Sequence, residues 1–135
     1  MKSYKNLEVW VHARALVKMV YEATRPFPKE EIFGLTSQIR RAAISIPLNF
    51  AEGCGRFHRK ETIQFMYISR GSLNELETAL TLSLDLGYLS ENDLSNLTDK
   101  CDECKRLLNG FINYQERAIK QATKKKQTLN TTNNP

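Results

Sequence analysis

The stretch Gln38 to Arg56, Q-I-R-R-A-A-I-S-I-P-L-N-F-A-E-G-C-G-R, constrains this chain most, because a helix drawn on it is apolar on two sides. At about 100° per residue, Leu35, Ile39, Ala42, Ala43, Ile46 and Phe50 share one face, and Ile44, Leu48 and Ala51 fall on the opposite one. A stripe of Gln38, Arg41, Ser45, Asn49 and Glu52 runs between them. A helix with two apolar faces needs two partners, one being the chain's own core and the other a neighbouring subunit. The stripe must then be satisfied by pairing, since an unpaired buried charge or amide costs several kcal/mol. The segment therefore argues for an oligomer, with Arg41, Asn49 and Glu52 in a polar network within or between subunits.

The rest of the chain reads as helix, with no strand signal. A first helix runs from about Leu7 to Ala23, with Leu7, Trp10, Ala13, Val17 and Val20 at 3- and 4-residue spacing, and stops before Pro26. The second covers about Gly34 to Glu52, carries Pro47 inside it, and is released by Gly53 and Gly55. The third runs from about His58 to Leu86 on a ridge of Thr62, Met66, Ser69, Leu73, Leu76, Leu80 and Leu84. It is widened by Phe65, Ile68, Ser72, Ala79, Leu82 and Leu86, and the small Gly71 and Ser72 predict a tightly packed neighbour. Ser90 with Asp93 opens the fourth, whose Leu94, Leu97, Cys101, Cys104, Leu108, Phe111, Gln115 and Ala118 alternate 3 and 4 apart. Four amphipathic helices with short connections predict an all-α, antiparallel up-down-up-down four-helix bundle over residues 1–119. The polar, unpatterned 120–135 is expected to be a disordered basic tail.

With 135 residues and 41% hydrophobic content, the chain suffices for one domain with a core. No window approaches the roughly 18 apolar residues of a membrane span, and M-K-S-Y-K-N-L-E has no apolar run for a signal peptide. The expectation is a cytoplasmic protein without a membrane partner. Three cysteines, an odd number, point to reduced thiols and not to a disulfide framework.

The net charge of +5 hides a division. Arg25, Lys29, Arg40, Arg41, Arg56, Arg59, Lys60 and Arg70 make the first half basic. Residues 71–103 set Glu75, Glu77, Asp85, Glu91, Asp93, Asp99, Asp102 and Glu103 against Lys100 alone. Such a dipole serves either charge matching within or between subunits, or a surface for a polyanion.

Chemistry is sparsely encoded. Cys101-Asp-Glu-Cys104 has redox spacing, but both sulfurs sit on the core seam and no βαβ pattern surrounds them. A zinc site from Cys54, Cys101, Cys104 and His12 or His58 lacks the paired spacing that such sites show. His12 follows Glu8 by four residues, the spacing of a helix-surface pair. Glu52 serves as an acid or base only if buried away from Arg41 and other cations, and no G-x-x-x-x-G-K is present. No catalytic residue, cofactor or metal is assigned. The stronger candidate ligand is nucleic acid. Arg40, Arg56, Arg59 and Lys60 are read as clustering around the turn between helices two and three, with Phe57 and His58 as stacking groups. Lys124, Lys125 and Lys126 add a flexible electrostatic contact. The competing reading is that the arginines tie subunits together and the tail solubilises.

The combination Gly34-Leu35, Gln38-Ile39-Arg40-Arg41-Ala42, Ser45-Ile46-Pro47, Asn49, Ala51-Glu52-Gly53, Gly55-Arg56, Gly71-Ser72-Leu73, Glu75-Leu76 and Leu86-Gly87-Tyr88 resembles the four-helix bundle proteins named for the 23S rRNA intervening sequence. Tyr4-Lys5-x-Leu7-x-Val9-Trp10 and Phe27-Pro28 match too, and the resemblance spans roughly residues 4–118. It implies a small bacterial bundle that forms a homopentameric ring. It also implies kinship with the accessory protein of diversity-generating retroelements, which binds a reverse transcriptase and nucleic acid. Carried over by position, Arg40, Arg41, Ser45, Asn49, Glu52, Arg56, Ser72 and Glu75 match the family's polar pattern. The CxxC does not belong to it. The expected function is thus a non-enzymatic homo-oligomer that binds RNA or scaffolds a nucleoprotein, the alternative being a protein-interaction adaptor without nucleic acid.

Overall fold

The computed structural model describes residues 3–132. Its long elements are α1 (Glu8–Thr24), α2 (Leu35–Cys54), α3 (Arg59–Asp85) and α4 (Glu91–Thr132), with single 3-10 turns at Tyr4–Asn6 and Lys29–Glu31 and no strand among the described residues. Each helix packs on its neighbours in sequence, and α1 closes the arrangement against α4. One core of Leu16, Val20, Ile39, Ile46, Phe50, Met66, Leu73, Leu76, Leu80 and Leu108 lies between the four. It is built from the residues whose 3- and 4-residue spacing marks one face of each helix.

The helix ends follow local chemistry. Ser90 Oγ accepts the Asp93 N–H at 3.1 Å and caps α4. At the end of α3, Gly87 takes φ +78°. This lets Gly87 N donate to Leu84 O and Tyr88 N to Ser83 O, both at 2.9 Å, a Schellman closure that suits glycine. The Phe27 and Tyr88 rings, 5.6 Å apart, then join the α1–α2 and α3–α4 connections at one end of the bundle.

Three expectations are corrected. Gly53 does not release the chain, since α2 continues to Cys54 and Gly53 is buried where the helices cross. A Cβ there would lie 2.5 Å from Met66 Cε and 2.8 Å from Phe65 Cβ. Gly71 has nothing within 4 Å of an added Cβ, so no element packs on it, although Ser72 beside it is buried. The stretch from Gln121, expected to be disordered, continues α4 as helix to Thr132; residues 133–135 lie outside the described residues. Local polarity suggested disorder there, but helix propagation from a packed segment costs little once nucleated.

Candidate nucleic-acid interface

The α2–α3 connection is short, and it throws Arg56, Phe57 and His58 outward before α3 begins. Arg56 Nη2 donates to Glu52 Oε1 at 2.6 Å, and its guanidinium lies 4.8 Å from the Phe65 ring centre. Arg59 Nη1 donates to Oε1 of the buried Gln115 at 2.8 Å and stands 5.9 Å from the Tyr114 ring centre. Lys60 is exposed and unpaired among the described residues. Phe57 is 93% exposed, and its ring stands edge-on to that of His58 with centroids 5.1 Å apart.

The bonds Arg59–Gln115, Arg70–Asn109 and Lys105–Glu77 run in opposite order along α3 and α4. The late part of α4 therefore leaves the bundle at this same end, bringing Arg117, Lys120, Lys124, Lys125 and Lys126 with it. Two grooves open here. One, of about 660 Å³, is lined by Tyr4, Cys54, Arg56, Phe57, Arg59 and Tyr114 among others; the second, of about 560 Å³, by Arg59, Tyr114, Arg117, Gln121, Ala122 and Lys125. Arg59 and Tyr114 belong to both. The opposite end of the bundle carries Glu30, Glu31, Asp85, Glu91 and Asp93 together with Arg25 and Lys29.

Arg40 is not part of this cluster. It lies fourteen residues before Cys54, where α2 ends, about 21 Å away at 1.5 Å per residue. There its Nε donates to Thr24 Oγ1 at 3.0 Å and its guanidinium covers Tyr21 at 4.6 Å. Reading it with the turn confused membership of one helix with proximity to its end.

The polar stripe divides. Asn49 Nδ2 donates to both Ser45 O and Ser45 Oγ at 2.8 Å, and Ser72 Oγ donates to Ser45 Oγ at 2.8 Å, knitting α2 to α3. Glu52 is engaged by Arg56. Gln38, Arg41 and Glu75 have no side-chain partner among the described residues. Arg41 lines a groove on the α1 side with Ile44 and Leu48, whereas Gln38 and Glu75 line one between α2 and α3 with Leu82. Leu48 is 63% exposed, so the second apolar face of α2 is not covered within the chain.

Residues 5–110 match the family model of the 23S rRNA-intervening sequence protein. The chain belongs to this family. A crystal structure of a Bacteroides thetaiotaomicron protein of unknown function from the S23 ribosomal protein family is similar in fold, with TM-score 0.69 and 23% identity. The likeness covers 77% of this chain and 97% of that one, and it bears on the fold alone. Comparison with curated proteins finds no match.

The family match ends before the part of α4 that carries Tyr114, Arg117 and the lysines. Tyr114 and Arg117 were missed as candidates, yet the sequence held a signal. Tyr114, Arg117, Gln121 and Lys125 recur at 3- and 4-residue spacing on one helix face.

Thiol and imidazole chemistry lie elsewhere. Burial pushes the Cys101 thiol up to about 12 and the Cys104 thiol to about 11, and both side in the core. His12 Nδ1 lies 3.0 Å from Glu103 Oε1 and 2.7 Å from Lys100 Nζ, so it pairs across to α4 and not with Glu8. Among the described residues no His, Cys, Asp and Glu group is placed to hold a metal ion, and no helix is long and apolar enough to cross a membrane.

Proposed function

We propose that the chain is a non-enzymatic homo-oligomer, an up-down-up-down bundle assembled as a pentameric ring, that binds RNA through its basic end as a nucleoprotein scaffold in the bacterial cytoplasm. The observation that carries this reading is the convergence of Arg59, Lys60, Arg117, Lys120 and Lys124–Lys126 at one end, while acids outnumber bases at the other. Concentrated positive charge on one end attracts a polyanion over a longer range than the same charges scattered.

Assembly is supported by two unlike grooves. One, of about 320 Å³, is lined by Trp10, Val17, Ile44, Pro47 and Leu48; the other, of about 420 Å³, by Leu35, Gln38, Glu75 and Leu82. Different surfaces meeting head to tail close into rings, whereas a two-fold dimer needs one self-complementary patch. Unpaired Arg41 on the α1 side and unpaired Glu75 on the other have the charges such a contact needs. In a ring whose axis runs along the bundles every basic end faces the same way, so modest affinities combine. The non-enzymatic reading is supported by the protonated, core-packed thiols, and the cytoplasmic one by three free cysteines.

The test is a filter-binding titration of RNA over a range of salt, with light scattering of the assembly with and without RNA. Replacing Lys124, Lys125 and Lys126 together by Gln weakens binding and makes the logarithmic salt slope shallower by about 2, at roughly 0.7–0.9 per lost phosphate contact. An unchanged slope refutes the assignment.

The adaptor reading has one observation in its favour. Phe33, 96% exposed beside exposed Ile32, is an apolar tip on the acidic end. Pull-down with and without nuclease separates the two, because an adaptor keeps its partner after digestion.

A further inference from the structure

The basic end is more than a patch of charge. Its two grooves adjoin at Arg59 and Tyr114, which line both, so their cationic and aromatic groups form a track from Phe57 over Arg59 and Tyr114 to Arg117 and Lys125. Along α4 alone, Tyr114 to Lys125 spans about 17 Å. Arg59 is fixed rather than free, since Gln115 holds its Nη1 and the ring of Tyr114 lies beside it. Neither groove has an acidic residue in its lining.

The aromatic groups decide what kind of polyanion fits. Phe57 stands 93% exposed between Arg56 and His58, and Tyr114 is 54% exposed beside Arg59 and Arg117. A duplex offers its surroundings phosphates, sugars and base edges, with its base faces stacked inside. Rings among cations gain little from such a surface. A single strand offers its base faces, and base–aromatic stacking tolerates any sequence because every base has a π-face. Cations beside the rings meet the phosphates between successive bases.

Resting on the nucleic-acid reading above, we infer that this track takes single-stranded nucleic acid in preference to duplex, stacking unpaired bases on Phe57 and Tyr114 while Arg59, Arg117 and Lys125 follow the phosphates. The two kinds of group are separable. Stacking contributes affinity with little salt dependence, and phosphate contacts contribute the salt slope.

The experiment is a fluorescence-anisotropy titration of the full chain with a short single-stranded RNA of mixed sequence and with the duplex made from it, at low and moderate salt. The wild type binds the single strand at least about tenfold tighter than the duplex. Phe57→Leu and Tyr114→Leu, which keep apolar bulk and remove the ring, each weaken single-strand binding about fivefold or more, the lower end of the stacking range. They leave duplex binding and the salt slope unchanged, and Phe57→Tyr restores single-strand affinity. Circular dichroism and light scattering confirm that fold and assembly mass are kept. A change in mass on Phe57→Leu assigns the ring to a subunit contact and overturns the inference. So does equal binding of both forms, or equal loss on both. If the wild type binds neither RNA, the nucleic-acid reading itself falls. If it binds both alike, only the single-strand preference falls.

Discussion

Exchanging glycine for alanine inside a helix ordinarily stabilises it by about 0.5–1 kcal/mol, because glycine loses more backbone freedom on folding. At Gly53 the sign reverses. The new methyl would lie 2.5 Å from Met66 Cε, 2.8 Å from Phe65 Cβ and 3.0 Å from Thr62 O. Met66 can turn its tip only within a filled core, and the other two atoms are tied to the α3 backbone, so α2 and α3 must part. Overpacking of this kind costs about 1–3 kcal/mol. Parting also stretches the 2.8 Å hydrogen bond from Thr62 Oγ1 to Gly53 O, which contributes about 1 kcal/mol. After the propensity gain is subtracted, Gly53→Ala is destabilised by about 1–3 kcal/mol. Gly71→Ala, in mid-α3 with open space around the added Cβ, is stabilised by about 0.5–1 kcal/mol. Urea unfolding followed by far-UV circular dichroism reads both, at one fixed chain concentration because any self-association adds to apparent stability. Gly53→Ala unfolding at the same or higher urea than wild type refutes the close-approach argument.

Leu48→Asp, on the uncovered face of α2, lowers the assembly mass seen by light scattering while helicity is kept; an unchanged mass removes that face from the subunit contact. Arg41→Glu weakens assembly and Glu75→Arg in the same chain restores it, whereas additive losses show that the two do not meet. Cys101 and Cys104 resist a thiol reagent at pH 8 until the chain unfolds. Their folded values lie above the ordinary 9.0, so they add stability below about pH 9 that is lost as pH rises toward 12. A Cys101→Ala, Cys104→Ala chain shows a smaller alkaline loss, and an identical pH profile in the two chains counts against buried thiols as its cause. Arg56→Ala with Lys60→Ala weakens RNA binding and flattens its salt dependence; a slope identical to wild type rejects their role in phosphate contact.

The helices were legible because their buried faces repeat every three to four residues, and Ile39, Ala43, Ile46 and Phe50 are buried as that period requires. The second face of α2 was legible in the same way, and it is the part the single chain leaves uncovered. Proximity between helices was not. Gly53 reads as a helix stop in sequence because only the crossing with Met66 and Phe65 reveals why a side chain is excluded. Arg40 falls out of the cluster on linear order alone, since it sits in the second turn of α2, about 21 Å from the end that carries the turn. That Phe57, His58, Arg59 and Lys60 are exposed together was legible because the turn that exposes them is itself local. Tyr114 and Arg117 join them only through the antiparallel order of α3 and α4.

At 42 residues α4 is about 63 Å long, while the 27 of α3 reach about 40 Å. From Lys120 to Thr131 it is exposed along its whole circumference. A peptide of that length and composition melts in water when cut loose, since isolated helices below about 12–15 residues are marginal. Here it inherits its winding from the packed turns beneath it, and heat unravels it from the tip inward. Warming therefore shortens the lever that carries Lys124–Lys126 well before the globular part loosens, and trypsin clips those lysines first.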